Sequence, residues 1–329
     1  MKPSRLSRVL TSLLKQRWPA FIWGAPGVGK SSIVRDIAAK AEMPVIDLRA
    51  ALLDPTDLRG IPSISDGLAT WCPPAFLPKP GQPPGILFLD EINAAPPLVQ
   101  ASLYQLVLDH RIGEYVLPTG WWIVAAGNRQ QDRAVTFRMS SALANRFIHL
   151  QLEPDVNDWR EWAIERRLDP LIVSFIGLRP EMLSQPPGES QAYPTPRSWE
   201  MLSDVIRMFG SRIEYADLVP GIVGEAAAIE FAGFLKRTTS EKEMLKILED
   251  PEKAKLPTSL HGIYMLTSWL AYFSGERPEI IKASAILLAR IPPEFGVVLA
   301  RDMLKANVAF AREPGYRAFM KEHGHLIAR

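Results

Sequence analysis

Gly24-Ala25-Pro26-Gly27-Val28-Gly29-Lys30-Ser31 decides the reading of this chain. The octet fits G-x-x-x-x-G-K-[ST], a loop whose backbone amides cradle the phosphates of a nucleoside triphosphate. Before it, Pro19-Ala20-Phe21-Ile22-Trp23 is a short apolar run that predicts a buried strand. After it, residues 32–40 predict a helix. Strand, glycine loop and helix form the context the motif requires. Glycines let successive N–H groups turn toward one anion, and the new helix adds the positive end of its dipole. Lys30 is placed to reach the β- and γ-phosphates, and the Ser31 hydroxyl to ligate Mg²⁺. The nucleotide-binding candidates are therefore Gly24, Ala25, Pro26, Gly27, Val28, Gly29, Lys30, Ser31 and Ser32.

Two further apolar runs end in polar residues. Ile86-Leu87-Phe88-Leu89-Asp90-Glu91 reads as a buried parallel strand whose carboxyl end carries chemistry. Asp90 is placed to hold Mg²⁺, directly or through water, and Glu91 to polarise the attacking water as general base. Trp121-Trp122-Ile123-Val124-Ala125-Ala126-Gly127-Asn128 reads as a second such strand. Asn128 would land at the same sheet edge, either bonding the γ-phosphate or the water, or capping a loop. Residues 4–16 and 93–106 carry apolar stripes at helical spacing, and residues 43–48 predict another strand. Residues 138–144 predict a short helix, with Arg146 just beyond it and a last strand at residues 147–150.

Composition narrows the classes. The 329 residues exceed one compact core and suit two or three domains. With 47% hydrophobic and 22% charged residues the chain has an ordinary globular composition, and a net charge of +2 gives no case for a broad nucleic-acid surface. A single cysteine, Cys72, excludes an intramolecular disulfide and a multi-cysteine metal site and fits a reducing compartment. No long apolar segment follows the charged residues at the start, so no signal peptide is expected. Residues 256–273 are too interrupted by polar groups for a membrane span. The cytoplasm is the expected location.

Between the motifs, Asp54 is placed to cap a short helical turn with Pro55 at its first position. Ser65-Asp66-Gly67 signals a tight turn, so a hairpin-like insertion is expected over about residues 57–82. Trp71 and Phe76 on it are either an exposed contact surface or a local core. A small hairpin is expected around residues 114–116. Beyond Pro154 the chain reads as helical: residues 155–167, 169–177, 216–236, 242–249, 257–273, 278–290 and 293–309, with residues 180–191 as a loop. Thr195-Pro196 opens a strong helix, placing Arg197 in its first turn, where it can point back at phosphates across a domain cleft. His323 and His325, with no third ligand in sequence, read as solvated tail residues.

The order of these motifs resembles that of the AAA+ ATPases, and within them the MoxR branch, close to dynein-related domains. The residues that carry it are Gly24 to Ser31 (Walker A), Ile86 to Glu91 (Walker B), Asn128 (sensor 1), Ala144-Asn145-Arg146-Phe147 (arginine finger) and Tyr193-Pro194-Thr195-Pro196-Arg197-Ser198 (sensor 2). The resemblance covers about residues 1 to 235. It implies a P-loop α/β core with a parallel sheet and helices on both faces over residues 1–153. It implies an all-α lid over residues 154–238, which leaves a helical extension at 239–329. It further implies ATP and Mg²⁺ as cofactors and Glu91, Lys30, Asn128, Arg146 and Arg197 as catalytic residues. The assembly expected from it is a homo-oligomeric ring, a hexamer as in similar proteins, with Arg146 serving a neighbour's nucleotide. Its client is expected to be a protein, with a von Willebrand factor A-type partner. The alternative is a DNA-linked AAA+ motor or loader using the same site. A small-molecule kinase is disfavoured by the order Asn128, Arg146, Arg197, and a pseudo-ATPase by intact Lys30 and Glu91.

Overall fold

The computed structural model describes residues 1–65, 67–129, 132, 137–188, 191–210 and 215–326. Part of the Ser65-Asp66-Gly67 turn and of the loop expected at 180–191 therefore lies outside the described residues. The chain divides into two compact units, Met1–Pro154 and Asp155–Arg329.

In the first unit the apolar runs become strands: β1 (Ala20–Trp23), β2 (Val45–Arg49), β3 (Ile61–Ser65), β4 (Leu68–Cys72), β5 (Ile86–Asp90), β6 (Arg111–Ile112), β7 (Tyr115–Val116), β8 (Trp122–Gly127) and β9 (Ile148–Gln151). Five of them form one sheet in the order β2-β5-β8-β1-β9, with every pair parallel. A parallel sheet must be covered on both faces, which is why β5 and β8 are continuously apolar rather than alternating. Alternate residues divide between two cores. Leu87, Leu89, Ile123 and Ala125 pack with Val99, Leu103 and Leu106 of the helix Pro97–Asp109. Ile86, Phe88, Trp122 and Val124 pack with Leu6 and Leu10 of the helix Pro3–Gln16 and with Val34 and Ile37 of the helix Lys30–Lys40. The helix expected at the start of the chain thus lies on the phosphate-loop helix.

The expected insertion is a two-stranded antiparallel ribbon, with Pro62 opposite Trp71 and Ile64 opposite Ala69. It follows the helix Pro55–Arg59, whose Asp54 and Asp57 form a reciprocal capping box. Ile61, Ile64 and Leu68 are largely exposed, and Trp71 and Phe76 are partly exposed. The contact-surface reading of Trp71 and Phe76 is the one the exposure favours.

The second unit is helical. Helices Val156–Glu165, Pro170–Leu178, Pro196–Phe209 and Glu225–Arg237 share one core around Phe175, Trp199, Phe231 and Phe234. Helices Glu241–Glu249, Leu260–Phe273, Glu279–Leu287 and Pro293–Ala306 share another around Trp269, Leu270, Leu299 and Phe310. The single helix expected over 216–236 is two, Val219–Val223 and Glu225–Arg237. Gly224 separates them at φ +83°, and a Cβ there would meet the Ala192 carbonyl oxygen at 2.6 Å. Other boundaries move inward to where caps sit. Ser259 caps the helix that begins at Leu260, and Ser140 caps Ser141–Ala144, all that forms of the helix expected from 138. Asn307, with extended backbone at φ −152°, ends the helix expected to reach 309.

Arg160 and Asp302 join the two cores of this unit. They form an ion pair at 2.5 Å, with side chains 3% and 0% exposed. The guanidinium also lies over the Tyr264 ring, 5.5 Å from its centroid. Gly177 makes room for it, since a Cβ there would stand 1.9 Å from Arg160 Nη1.

Candidate functional site

The three neighbouring strands β5, β8 and β1 end on the same edge of the sheet, and the polar residues follow at those ends. In an open parallel sheet this carboxyl edge is where ligands bind. The loop after β1 turns through Gly27 at φ +75° and Gly29 at φ +98°, where a side chain would be strained. Gly24 is confined as well, because a Cβ there would meet the Leu152 carbonyl oxygen at 3.2 Å. The helix Lys30–Lys40 then begins with no side-chain cap. The amides of Gly29, Ser31 and Ser32 have no hydrogen-bond acceptor among the described residues, as suits donors aimed at an anion.

Lys30 is buried, and its ammonium donates to Gly24 O at 2.7 Å, Ala25 O at 3.1 Å and Asn128 Oδ1 at 2.8 Å. Residues 98 positions apart therefore meet. Asn128 serves the loop lysine, where its sequence left phosphate binding and loop capping both open. The Ser31 hydroxyl donates to Asp90 Oδ2 at 3.0 Å. Mg²⁺ takes oxygen ligands at 2.0–2.1 Å in an octahedron, in which neighbouring ligands stand about 2.9 Å apart. The Ser31–Asp90 pair of hard oxygen donors fits that ion. Bound there, it would offset phosphate charge.

Glu91 is exposed and holds φ +55°, a left-handed conformation unusual for a residue with a side chain. Its amide donates to Asp90 Oδ1 at 3.0 Å. The left-handed conformation costs on the order of 1–2 kcal/mol, and backbone strain of this kind concentrates where side-chain direction matters to function. Arg146 lies two residues past the helix Ser141–Ala144, exposed and without an ion pair among the described residues. Arg197 belongs to the second unit. It is exposed at the second position of the helix Pro196–Phe209, beside a capping box formed by Thr195 and Ser198.

Two residues that shape this edge were not legible as site residues. Asn93 is 3% exposed, and its Nδ2 donates to the Asn128 carbonyl at 2.7 Å, holding the end of β8 in place. Gly127 makes space for it, since a Cβ there would stand 2.3 Å from Asn93 Oδ1 and 2.8 Å from Phe21 Cζ. The one signal for Asn93 was a polar residue three positions after Asp90. Arg129 forks onto Asp132, with Nε at 3.1 Å from Oδ2 and Nη2 at 3.1 Å from Oδ1.

A parallel sheet with a glycine phosphate loop, an acidic strand end and an amide-ended strand side by side defines a P-loop nucleotide-binding fold of the AAA+ type. Residues 19–147, most of the first unit, match the AAA domain of the dynein-related subfamily. No curated protein matches the chain. Among solved structures, NtrX from Brucella abortus in complex with ADP is 15% identical, covers 98% of this chain and 68% of that one, and has a TM-score of 0.45. A RuvB mutant from Thermotoga maritima is 19% identical, covers 85% of this chain and 86% of that one, and has a TM-score of 0.40. No described helix is long and apolar enough to cross a membrane.

Proposed function

We propose that this chain is an AAA+ ATPase of the MoxR type that hydrolyses ATP at the interfaces of a ring, a hexamer as in similar proteins, and uses the cycle to remodel or assemble a protein partner. The observation that carries the reading is the joining of Lys30 to Asn128 and of Ser31 to Asp90 at one sheet edge. In this reading Lys30 and the loop from Gly24 to Ser32 bind the phosphates, and Ser31 and Asp90 hold Mg²⁺. Glu91 is the general base and Asn128 positions the γ-phosphate or the water. Arg197 answers the phosphates from a helical lid at 154–238. Arg146 is exposed and without an ion pair among the described residues, as suits a charge offered across an interface. Arg146 therefore serves a neighbouring subunit.

The extension at 239–329 and the exposed ribbon of β3 and β4 are the surfaces available to partners, a von Willebrand factor A-type protein among them, and the cytoplasm is the setting. A DNA-linked motor on the same site would need basic contacts, which a net charge of +2 does not favour.

The test mixes Arg146→Ala subunits with Glu91→Gln subunits. Each alone should be nearly inactive, and mixing should restore phosphate release at hybrid interfaces. Full activity of Arg146→Ala alone refutes the shared site.

A further inference from the structure

Four rings share one face of β1 and β9: Phe21, Trp23, Phe147 and His149. Phe21 stacks on Trp23 at 4.2 Å, meets Phe147 edge-on at 5.5 Å and lies 5.7 Å from His149. The cluster sits between two functional segments. Trp23 directly precedes Gly24 of the phosphate loop, and Phe147 directly follows Arg146.

Within it His149 makes two hydrogen bonds in opposite directions. The Trp23 indole Nε1–H donates to His149 Nδ1 at 2.8 Å. An indole nitrogen only donates, so Nδ1 is the acceptor and Nε2 is the ring nitrogen left to donate. Nε2 stands 2.8 Å from the carbonyl oxygen of Ala144 and donates to it. Ala144 is the last residue of the short helix that precedes Arg146. Its carbonyl also receives the amide of Phe147 at 3.2 Å, so the turn bearing Arg146 closes on the acceptor that His149 holds. A single tautomer thus bridges the residue before the phosphate loop to the turn that presents the arginine. Among the described residues no other side chain spans these two segments by hydrogen bonds.

We infer that His149 is a positioning residue for Arg146, setting the arginine that one subunit offers its neighbour according to the state of its own phosphate loop. The inference rests on the shared-site reading above. In this role His149 makes no contact with the reacting atoms. It acts through Ala144 on one side and Trp23 on the other. An arginine that must meet a γ-phosphate across an interface is sensitive to displacements of about 1 Å, which can cost on the order of a hundredfold in rate. The four-residue helix Ser141–Ala144 is too short to hold that position unaided.

The experiment uses the assembled full chain and three variants. His149→Phe keeps the ring stack and removes both hydrogen bonds. Trp23→Phe removes one of them from the other end. His149→Gln restores a donor and an acceptor on one side chain. The expected result for the first two is a fall in kcat of about tenfold or more, with nucleotide affinity kept within about twofold and an unchanged melting temperature. His149→Gln should recover much of the loss. Mixing His149→Phe with Glu91→Gln subunits should restore activity, as is expected for Arg146→Ala, because the Glu91→Gln subunits supply a well-placed arginine. A merely structural role would lower affinity or melting temperature and would not be rescued by mixing. If Arg146→Ala is rescued and His149→Phe is active or not rescued, the positioning role is overturned. If Arg146→Ala keeps full activity, the shared-site reading falls, and the role of His149 falls with it.

Discussion

Replacing Asp302 by alanine should be among the most damaging changes in the second unit. The substitution removes one partner of an ion pair whose side chains are 3% and 0% exposed. It leaves the Arg160 guanidinium buried, facing a void and the Tyr264 ring. Stranding a buried charge in this way costs about 3–5 kcal/mol. Unfolding entropy near 2.1 cal/mol/K per residue over the 175 residues of 155–329 gives about 0.37 kcal/mol/K, so the melting temperature should fall by about 8–14 °C. The reverse change should be milder. In Arg160→Met the carboxylate keeps Arg301, whose Nε stands 3.6 Å from Asp302 Oδ1, and the new side chain fills much of the space. The double change Arg160→Met with Asp302→Leu should regain most of the loss, since apolar replacement of a buried pair is often neutral or better. Differential scanning calorimetry of the full chain measures all three. A fall of under about 2 °C for Asp302→Ala, or a double variant no better than the single, would refute the reasoning.

The remaining predictions concern packing at the sheet edge and one buried carboxyl. Gly127→Ala should cost about 1–3 kcal/mol by overpacking, because the new methyl would stand 2.3 Å from Asn93 Oδ1. It should also weaken nucleotide binding through Asn128, as read by fluorescent-nucleotide titration; in calorimetry it should move the transition of the first unit and leave that of the second. Burial raises Asp169 to about 6, against a backbone hydrogen bond from Leu171 and the charge of Arg207. A raised folded value means that the folded state holds the proton more tightly. The stabilisation is therefore complete below the ordinary carboxyl range and is lost as pH rises through about 6. Asp169→Asn should thus gain on the native protein in urea midpoint between about pH 4.5 and 7, and a constant difference over that range would refute it.

Much of the first unit was legible because its signals are local. The glycine loop lies within eight residues, and β5 and β8 announce themselves as unbroken apolar runs ending in Asp90 and Asn128. What stayed hidden depends on which segments meet in space. Nothing in the sequence joins Lys30 to Asn128, or lets Asn93 demand glycine at position 127. The split at Gly224 follows from a carbonyl at Ala192, 32 positions earlier, that the helical periodicity cannot register. Arg160 and Asp302 are 142 positions apart and fall on opposite sides of the boundary expected at 238. Burial of their charges binds segments that composition alone would separate into a lid and an appendix.

The ribbon of β3 and β4 has a mechanical side. Two strands alone are marginal in water, and this pair is pinched at its base, where a Cβ on Gly60 would stand 1.9 Å from the Cys72 carbonyl oxygen. Its outer edge is tied down where the Trp71 amide donates to Glu114 Oε2 at 3.0 Å. Glu114 sits in the turn between β6 and β7, directly after the helix Pro97–Asp109, and that helix begins six residues beyond Glu91. A rod of about 20 Å therefore runs from the acidic strand end to the foot of the ribbon. Any shift of Glu91 has a stiff arm along which to travel, and it is delivered as a tilt of a ribbon whose two strands carry no charged side chain.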